Sequence, residues 1–238
     1  MEKVLYALWI DDADDGDSLR GALLSDFVPA ALALPQVHGL RVAVADSAVR
    51  PAADKCMSTS GPLPSALLSV WLDDGWFRDA LEALLPRQVS QLRSWLVSEA
   101  EPIVNTTQPP ADDGRVPGFC QIAMLQRPPR LDRDTWLGIW KGSHGQVAID
   151  TQSTFGYRQN LIVHDLGGAE GVELHAIVEE NFPAEAMTSN HAFFAASDDA
   201  TLEANYQAMM DSCHRFIDYD RIDVAVMSEY SFLPQRAH

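Results

Sequence analysis

On either side of a polar break, the chain passes twice through one order of elements: strand, helix, strand, strand, helix, strand. The break runs from Thr106 to Pro117, is rich in Pro, Asp and Gly, and reads as a linker. It divides the 238 residues into an expected module at 1–105 and a second at 118–238. Such an order produces an antiparallel sheet with helices on one face. The opposite face of the sheet needs cover, and a tandem copy supplies it without a second chain.

The second half carries the pattern more clearly. Phe119–Gln126 is an apolar strand stopped by Arg127-Pro128-Pro129, because proline cannot continue a central ladder. Asp132 is placed to cap a helix, with Leu131 and Trp136 at the positions of a hydrophobic staple. That helix carries Trp136, Ile139, Trp140 and Val147 on one stripe. Phe155–His164 and Val172–Glu179 read as strands, Asp198 as the cap of a long helix, and Ile222–Tyr230 as the closing strand. Leu202, Tyr206, Met209, Cys213 and Phe216 are expected to face inward from the long helix. In the first half, Val4–Ile10, Val37–Ala45 and Ser65–Leu72 read as strands, and Leu19, Leu23 and Phe27 mark one helix face. Trp76–Val97 reads as a helix interrupted at Pro86, followed by a short strand near Pro102–Asn105. The expected class is α+β: two ferredoxin-like β-α-β-β-α-β modules packed sheet to sheet as an intramolecular dimeric α/β barrel.

Four motifs in the second half carry a likeness. Arg127-Pro128-Pro129, Trp136-Leu137-Gly138-Ile139-Trp140, Ser143-His144-Gly145 and Tyr157-Arg158-Gln159-Asn160 together resemble the EthD family of dimeric α/β-barrel proteins. The match covers about Phe119 to Val163, and Gln146 stands where the family often has Pro. The resemblance implies a ferredoxin-like unit that pairs with another. It also implies kinship with decarboxylases and cyclases of aromatic or polyketide pathways. The wider superfamily includes cofactor-free monooxygenases, isomerases and haem enzymes, so fold alone does not name a reaction.

The formal charge of −17 repels phosphate backbones and anionic lipid, which argues against nucleic-acid and membrane partners. The segment Met1 to Trp9 lacks the basic start and long apolar core of a signal peptide. Cys56, Cys120 and Cys213 form no CxxC pair, so reduced thiols and a cytoplasmic setting are expected. Asp11 to Asp17 is dense in carboxylates, but Ala13 interrupts the ligand pattern of a calcium loop, and the segment reads as a solvated, helix-capping loop. No resident metal or cofactor is expected, and the chain is expected to be a monomer or a homodimer.

His144 is the leading candidate for chemistry. Residues 136, 140 and 144 lie about one helical turn apart, which puts Trp136 and Trp140 beside it as pocket walls. A histidine moves a proton near neutral pH. At the end of a helix the imidazolium is favoured, whereas burial opposes it, and the sequence leaves both open. The alternative is a histidine that only caps the helix. On the next strand Tyr157 is placed to donate to an oxyanion, or to stand at the sheet edge. Asn160 and His164 on one strand and His175 on its neighbour form a possible polar cluster, and His191 a possible lid residue. In the first half Leu19, Leu23 and Phe27 align with Trp136, Trp140 and His144, and six of the seven histidines lie in the second half. The first half is therefore expected to be mainly structural. Three functions compete. The first is a lyase-, isomerase- or cyclase-type enzyme acting on a small aromatic or apolar carbonyl compound by histidine acid–base catalysis. The second is a non-catalytic ligand-binding or accessory protein, and the third a haem-binding barrel with an axial histidine.

Overall fold

Runs rich in apolar residues build eight strands among the described residues, most of them buried on both faces. The computed structural model describes residues 1–11 and 15–233. The first four strands are β1 (Glu2–Ile10), β2 (Val37–Val44), β3 (Ala66–Leu72) and β4 (Val89–Ile103). The second four are β5 (Phe119–Leu125), β6 (Gly156–Gly168), β7 (Ala176–Phe182) and β8 (Ile222–Phe232). They close into one antiparallel barrel in the order β1-β3-β2-β8-β5-β7-β6-β4. Strands of one half stay adjacent, and the halves join where β2 meets β8 and β4 meets β6. Gly168, at φ +116, ends β6 where it passes too close to the Leu92 carbonyl for any side chain.

The helices lie outside. The first-half helix runs as α1 (Gly16–Ala22), a π-helical turn (Leu23–Phe27) and α2 (Val28–Leu32). A single short turn, α3 (Asp79–Glu82), precedes β4. The second-half helix has the same construction: α4 (Arg133–Ile139), a π-helical turn (Trp140–His144) and α5 (Gly145–Thr151). After β7 come α6 (Asn190–Phe193) and α7 (Asp199–His214). Among the described residues no helix is long and apolar enough to cross a membrane. The three cysteines are free thiols.

Three expectations change. The region read as a helix from Trp76 to Val97 holds only α3, and most of its second part is β4, which pairs with both β1 and β6. Pairing along a strand of 15 residues outweighs the local helical spacing. His144 does not end its helix, because the π turn carries the chain on into α5. Tyr206, expected inside, is 45% exposed. The acidic loop read over Asp11 to Asp17 includes residues 12–14, which lie outside the described residues.

The barrel interior is layered. Lys3 reaches Glu99 at 2.5 Å, Glu179 at 2.8 Å and Asn160 at 2.8 Å. Arg158 donates to Glu179 at 3.1 Å and also to Glu229. This network plugs one end. Burial pushes the Glu179 carboxyl up, but Lys3 and Arg158 outweigh it and hold it well below the usual carboxylate range. Leu5, Ile122, Ile177 and Met227 fill the middle.

Candidate functional site

A cavity of about 180 Å³ lies between the outer face of the second-half sheet and the helices that cover it. Its roof begins at Asp132, which accepts from the Thr135 amide at 2.8 Å and starts α4. Trp136 and Trp140 are both buried, with ring centroids 5.1 Å apart. The Trp136 indole donates to the Phe216 carbonyl at 3.1 Å, tying α4 to the end of α7. Trp140 lines the cavity, while Trp136 stands behind it.

His144 closes the π turn, the kind of helical irregularity that often marks a functional position. Its ring is 4.5 Å from the ring of Phe216, and its Nδ1 lies 3.0 Å from Ser212 Oγ. With Nδ1 taken, Nε2 is the nitrogen left for a ligand. Burial, with a smaller contribution from the Arg215 charge, pulls its pKa from 6.5 down to about 4. Burial thus wins the contest that the sequence left open, and the ring is neutral at pH 7.

The floor is a row of polar side chains across three strands. Glu180 of β7 pairs with Gln121 of β5 on one side and with Tyr157 of β6 on the other. Directly paired side chains on one face stand about 5 Å apart, so the three form one strip. All three line the cavity. The Tyr157 hydroxyl accepts from Gln159 Nε2 at 2.8 Å, which leaves its own hydrogen free to donate. Burial, then the nearby Glu180 carboxylate, raises the Tyr157 pKa, so the phenol keeps its proton. Burial pushes Glu180 from 4.5 up to about 7 and the Cys213 thiol up to about 11. Gln121 Oε1 is buried without a hydrogen-bond partner. Of these groups, Glu180 is the one whose proton is in play at neutral pH.

Glu180, Gln121 and Ser212 were not among the residues picked out by sequence. A signal for Glu180 was present: it has the same strand parity as Ala176 and Val178, a carboxylate on an otherwise apolar face. The strand read as Val172–Glu179 stopped one residue short of it.

The expected cluster of Asn160, His164 and His175 does not assemble. Asn160 points into the barrel, where its Nδ2 donates to the Ile177 carbonyl at 3.0 Å and to Glu179 at 2.9 Å. His164 is exposed and stacks on Trp76 with ring centroids 6.1 Å apart. His175 sits 6.2 Å from the Trp136 ring, behind the cavity, and its Nδ1 accepts from the Arg127 amide at 3.2 Å. His191 pairs with Asp199 at 2.9 Å on the surface, while Phe193 and Phe194 of the same segment wall the cavity.

The matching region of the first half is filled. Leu19, Leu23 and Phe27 are fully buried, and the space among Tyr6, Phe27, Leu68 and Leu81 has no room for a water molecule. Among the described residues no group of three or more His, Cys, Asp or Glu converges to hold a metal ion.

No family model matches the chain. No curated protein matches it either. Solved structures do. A crystal structure of an anthrone oxidase-like protein is similar at a TM-score of 0.50 and 10% identity, over 98% of this chain and 91% of that one. A provisionally assigned monooxygenase from Fusobacterium nucleatum subsp. nucleatum gives a TM-score of 0.49 at 12% identity, covering 97% of this chain and 93% of the other. Another, from Lactobacillus acidophilus, gives 0.43 at 7%, with 97% and 93% covered. The first likeness is one of fold: a helix-covered barrel spanning both halves of the chain.

Proposed function

We propose that this cavity binds a small aromatic or apolar carbonyl compound and moves a proton on it, a lyase-, isomerase- or cyclase-type reaction. The observation that carries the reading is the strip Gln121–Glu180–Tyr157 beneath a neutral His144, in a cavity whose other walls are mostly apolar. A cavity of about 180 Å³ suits one or two fused rings, since an apolar void of roughly 150 Å³ already admits benzene. The Glu180 carboxylate removes a proton from carbon next to the carbonyl. The electron pair moves onto the carbonyl oxygen, and Tyr157 donates a hydrogen bond to the resulting enolate. In a β,γ-unsaturated ketone the Glu180 carboxyl returns a proton to the γ-carbon and completes an isomerisation with atoms balanced, whereas in a saturated ketone its proton exchanges with solvent and returns to the same carbon as net hydrogen exchange. His144, neutral, accepts a hydrogen bond at Nε2 from a substrate hydroxyl, and Trp140 stacks along the ring.

The EthD-like motifs at residues 136–140, 143–145 and 157–160 support this placement, because Trp140, His144 and Tyr157 from them line the cavity. We also read the barrel as two fused ferredoxin-like units, 1–105 and 118–238, joined by 106–117. The strand orders β4-β1-β3-β2 and β8-β5-β7-β6 within the barrel support that reading. Haem fits poorly beside His144, since a porphyrin exceeds a cavity of about 180 Å³.

The test is exchange of ketone α-protons in deuterated buffer, followed by proton NMR on 1-indanone and 1-tetralone. Exchange above the buffer rate is expected, with a loss of about 100-fold or more in Glu180→Gln. Tyr157→Phe should lose about 100-fold, the usual effect of removing one oxyanion donor. Saturable binding without exchange would make this a ligand-binding protein instead, and an unimpaired Glu180→Gln variant would refute the assigned base.

A further inference from the structure

We propose that the opposite face of the same sheet builds a second ligand site, at the open end of the barrel, for an uncharged aromatic molecule bearing a hydrogen-bond-accepting oxygen. Small eight-stranded barrels are normally filled by their own side chains. Here the ionic plug fills one end and aliphatic side chains fill the middle. At the other end β1 and β5 finish, β4 and β8 begin, and the side chains stop short. A cavity of about 380 Å³ remains, roughly twice the volume of the one beneath His144.

The two cavities share no lining residue. Met124 and Asp223 face the barrel end, while their chain neighbours Ala123, Leu125, Ile222 and Val224 face the His144 cavity. That division follows from the alternation of strand side chains between faces. The site is therefore separate from the acid–base site yet backed onto the same two strands.

Its walls specify the ligand. Trp9, Trp95, Met124 and Leu174 give flat apolar surfaces. Trp95 is 1% exposed, and its indole N–H is buried with no acceptor. A buried donor left unpaired is costly, so an oxygen delivered by a ligand has something to gain there. Three neighbouring polar side chains are already satisfied. The Trp9 indole donates to the Pro62 carbonyl at 2.9 Å. Arg93 is held by the Val172 carbonyl at 2.9 Å and by Asp165 at 2.8 Å. Asp223 accepts from the amides of Thr59 at 2.6 Å and Ser60 at 3.1 Å.

Charge excludes the ionic alternatives. Arg93 is neutralised by Asp165, and the mouth also carries Asp11 and Glu170, so an anion finds no free cation. The Trp95 face that would receive a ligand cation is already covered by the Arg93 guanidinium, 5.1 Å from the ring centroid. What remains is a neutral aromatic ketone, ether or phenol of two to three rings.

The probes are 2-acetylnaphthalene, its isopropenyl isostere without the oxygen, and 2-naphthoate, titrated by calorimetry and by indole ¹H–¹⁵N spectra. The Trp95 resonance is identified by its loss in Trp95→Phe. On binding 2-acetylnaphthalene it is expected to move downfield as its N–H gains an acceptor. The ketone should bind about tenfold tighter than the isostere, the weight of one satisfied buried donor. Trp95→Phe should erase that preference, and naphthoate should bind at least tenfold more weakly. Binding should persist in Ala123→Phe, which fills the His144 cavity. An unmoved Trp95 resonance at saturation, equal affinity for ketone and isostere in the wild type, absence of binding, or binding abolished by Ala123→Phe would each overturn the proposal. The wild-type comparisons stand even if a variant fails to fold.

Discussion

Replacing Glu180 by Gln should stabilise the protein, and increasingly so as pH rises. Burial raises the Glu180 carboxyl from 4.5 to about 7. Between those values the unfolded chain has released the proton while the folded chain keeps it. The folded state then binds more protons, so stability falls with rising pH. At about 1.36 kcal/mol per pH unit, the penalty is roughly 1 kcal/mol at pH 5 and about 3 kcal/mol at pH 8. The second figure is an upper one, because the residue is only partly buried and water screens it. Gln is isosteric with the protonated acid and does not titrate, so it escapes the penalty throughout. For a chain of this size, 1 kcal/mol corresponds to roughly 2–4 °C in Tm, and the gap between variant and wild type should widen by about 5–10 °C from pH 5 to pH 8. Thermal unfolding by circular dichroism across that range reads the effect. A constant difference between the two proteins, whatever its size, would mean that Glu180 ionises normally in the fold, and the base assigned to the cavity would lose its physical rationale.

His144 should act in the opposite direction. Its pKa falls from 6.5 to about 4 on folding, so below pH 6.5 the unfolded chain binds the extra proton and stability drops as pH falls. His144→Gln should therefore lose about 2 kcal/mol less than wild type between pH 8 and pH 5, measured by urea unfolding. Arg158→Met leaves Glu229 without its ion-pair partner and Glu179 with Lys3 alone, and should cost about 3–5 kcal/mol in the same assay at pH 8. The deficit should shrink in the same variant at high salt, and a deficit unchanged by salt would count against an ionic role for the plug.

Much of the architecture was legible because it rests on local alternation. Strands β1, β3, β5 and β8 fall within two residues of the segments marked by their apolar spacing. Strand β4 was not legible. Its Trp95 and Val97 face the barrel while Leu92 and Leu96 pack outward, a pattern fixed by long-range pairing with β1 and β6 rather than by local preference. The faces of β6 were readable, with Tyr157 and Gln159 opposite Arg158 and Asn160. What Asn160 meets was not, because Lys3 lies 157 positions away in the chain. Glu180 was missed for a related reason: its role depends on Gln121 and Tyr157 arriving from two other strands.

The two halves also differ in a way that packing does not explain. Both covering helices carry a π turn at the corresponding place, Leu23–Phe27 and Trp140–His144, so the roof is built alike. The floors are not alike. The outer face of the first-half sheet presents Val4, Leu8, Leu40, Val42, Leu68 and Val70, with Tyr6 as its polar exception, and Phe27 closes the space above. The second-half face presents Gln121, Tyr157, Gln159 and Glu180 instead, beneath His144. Each of these groups costs desolvation free energy where a methyl group would gain it. Gln121 Oε1 is unpaired, Glu180 is driven to about 7 and His144 to about 4. One fold therefore carries a cheap solution and a costly one to the same packing problem, and the costly one is the side with a cavity. Strained titration at a hollow, polar floor is the arrangement expected where a ligand completes the missing contacts.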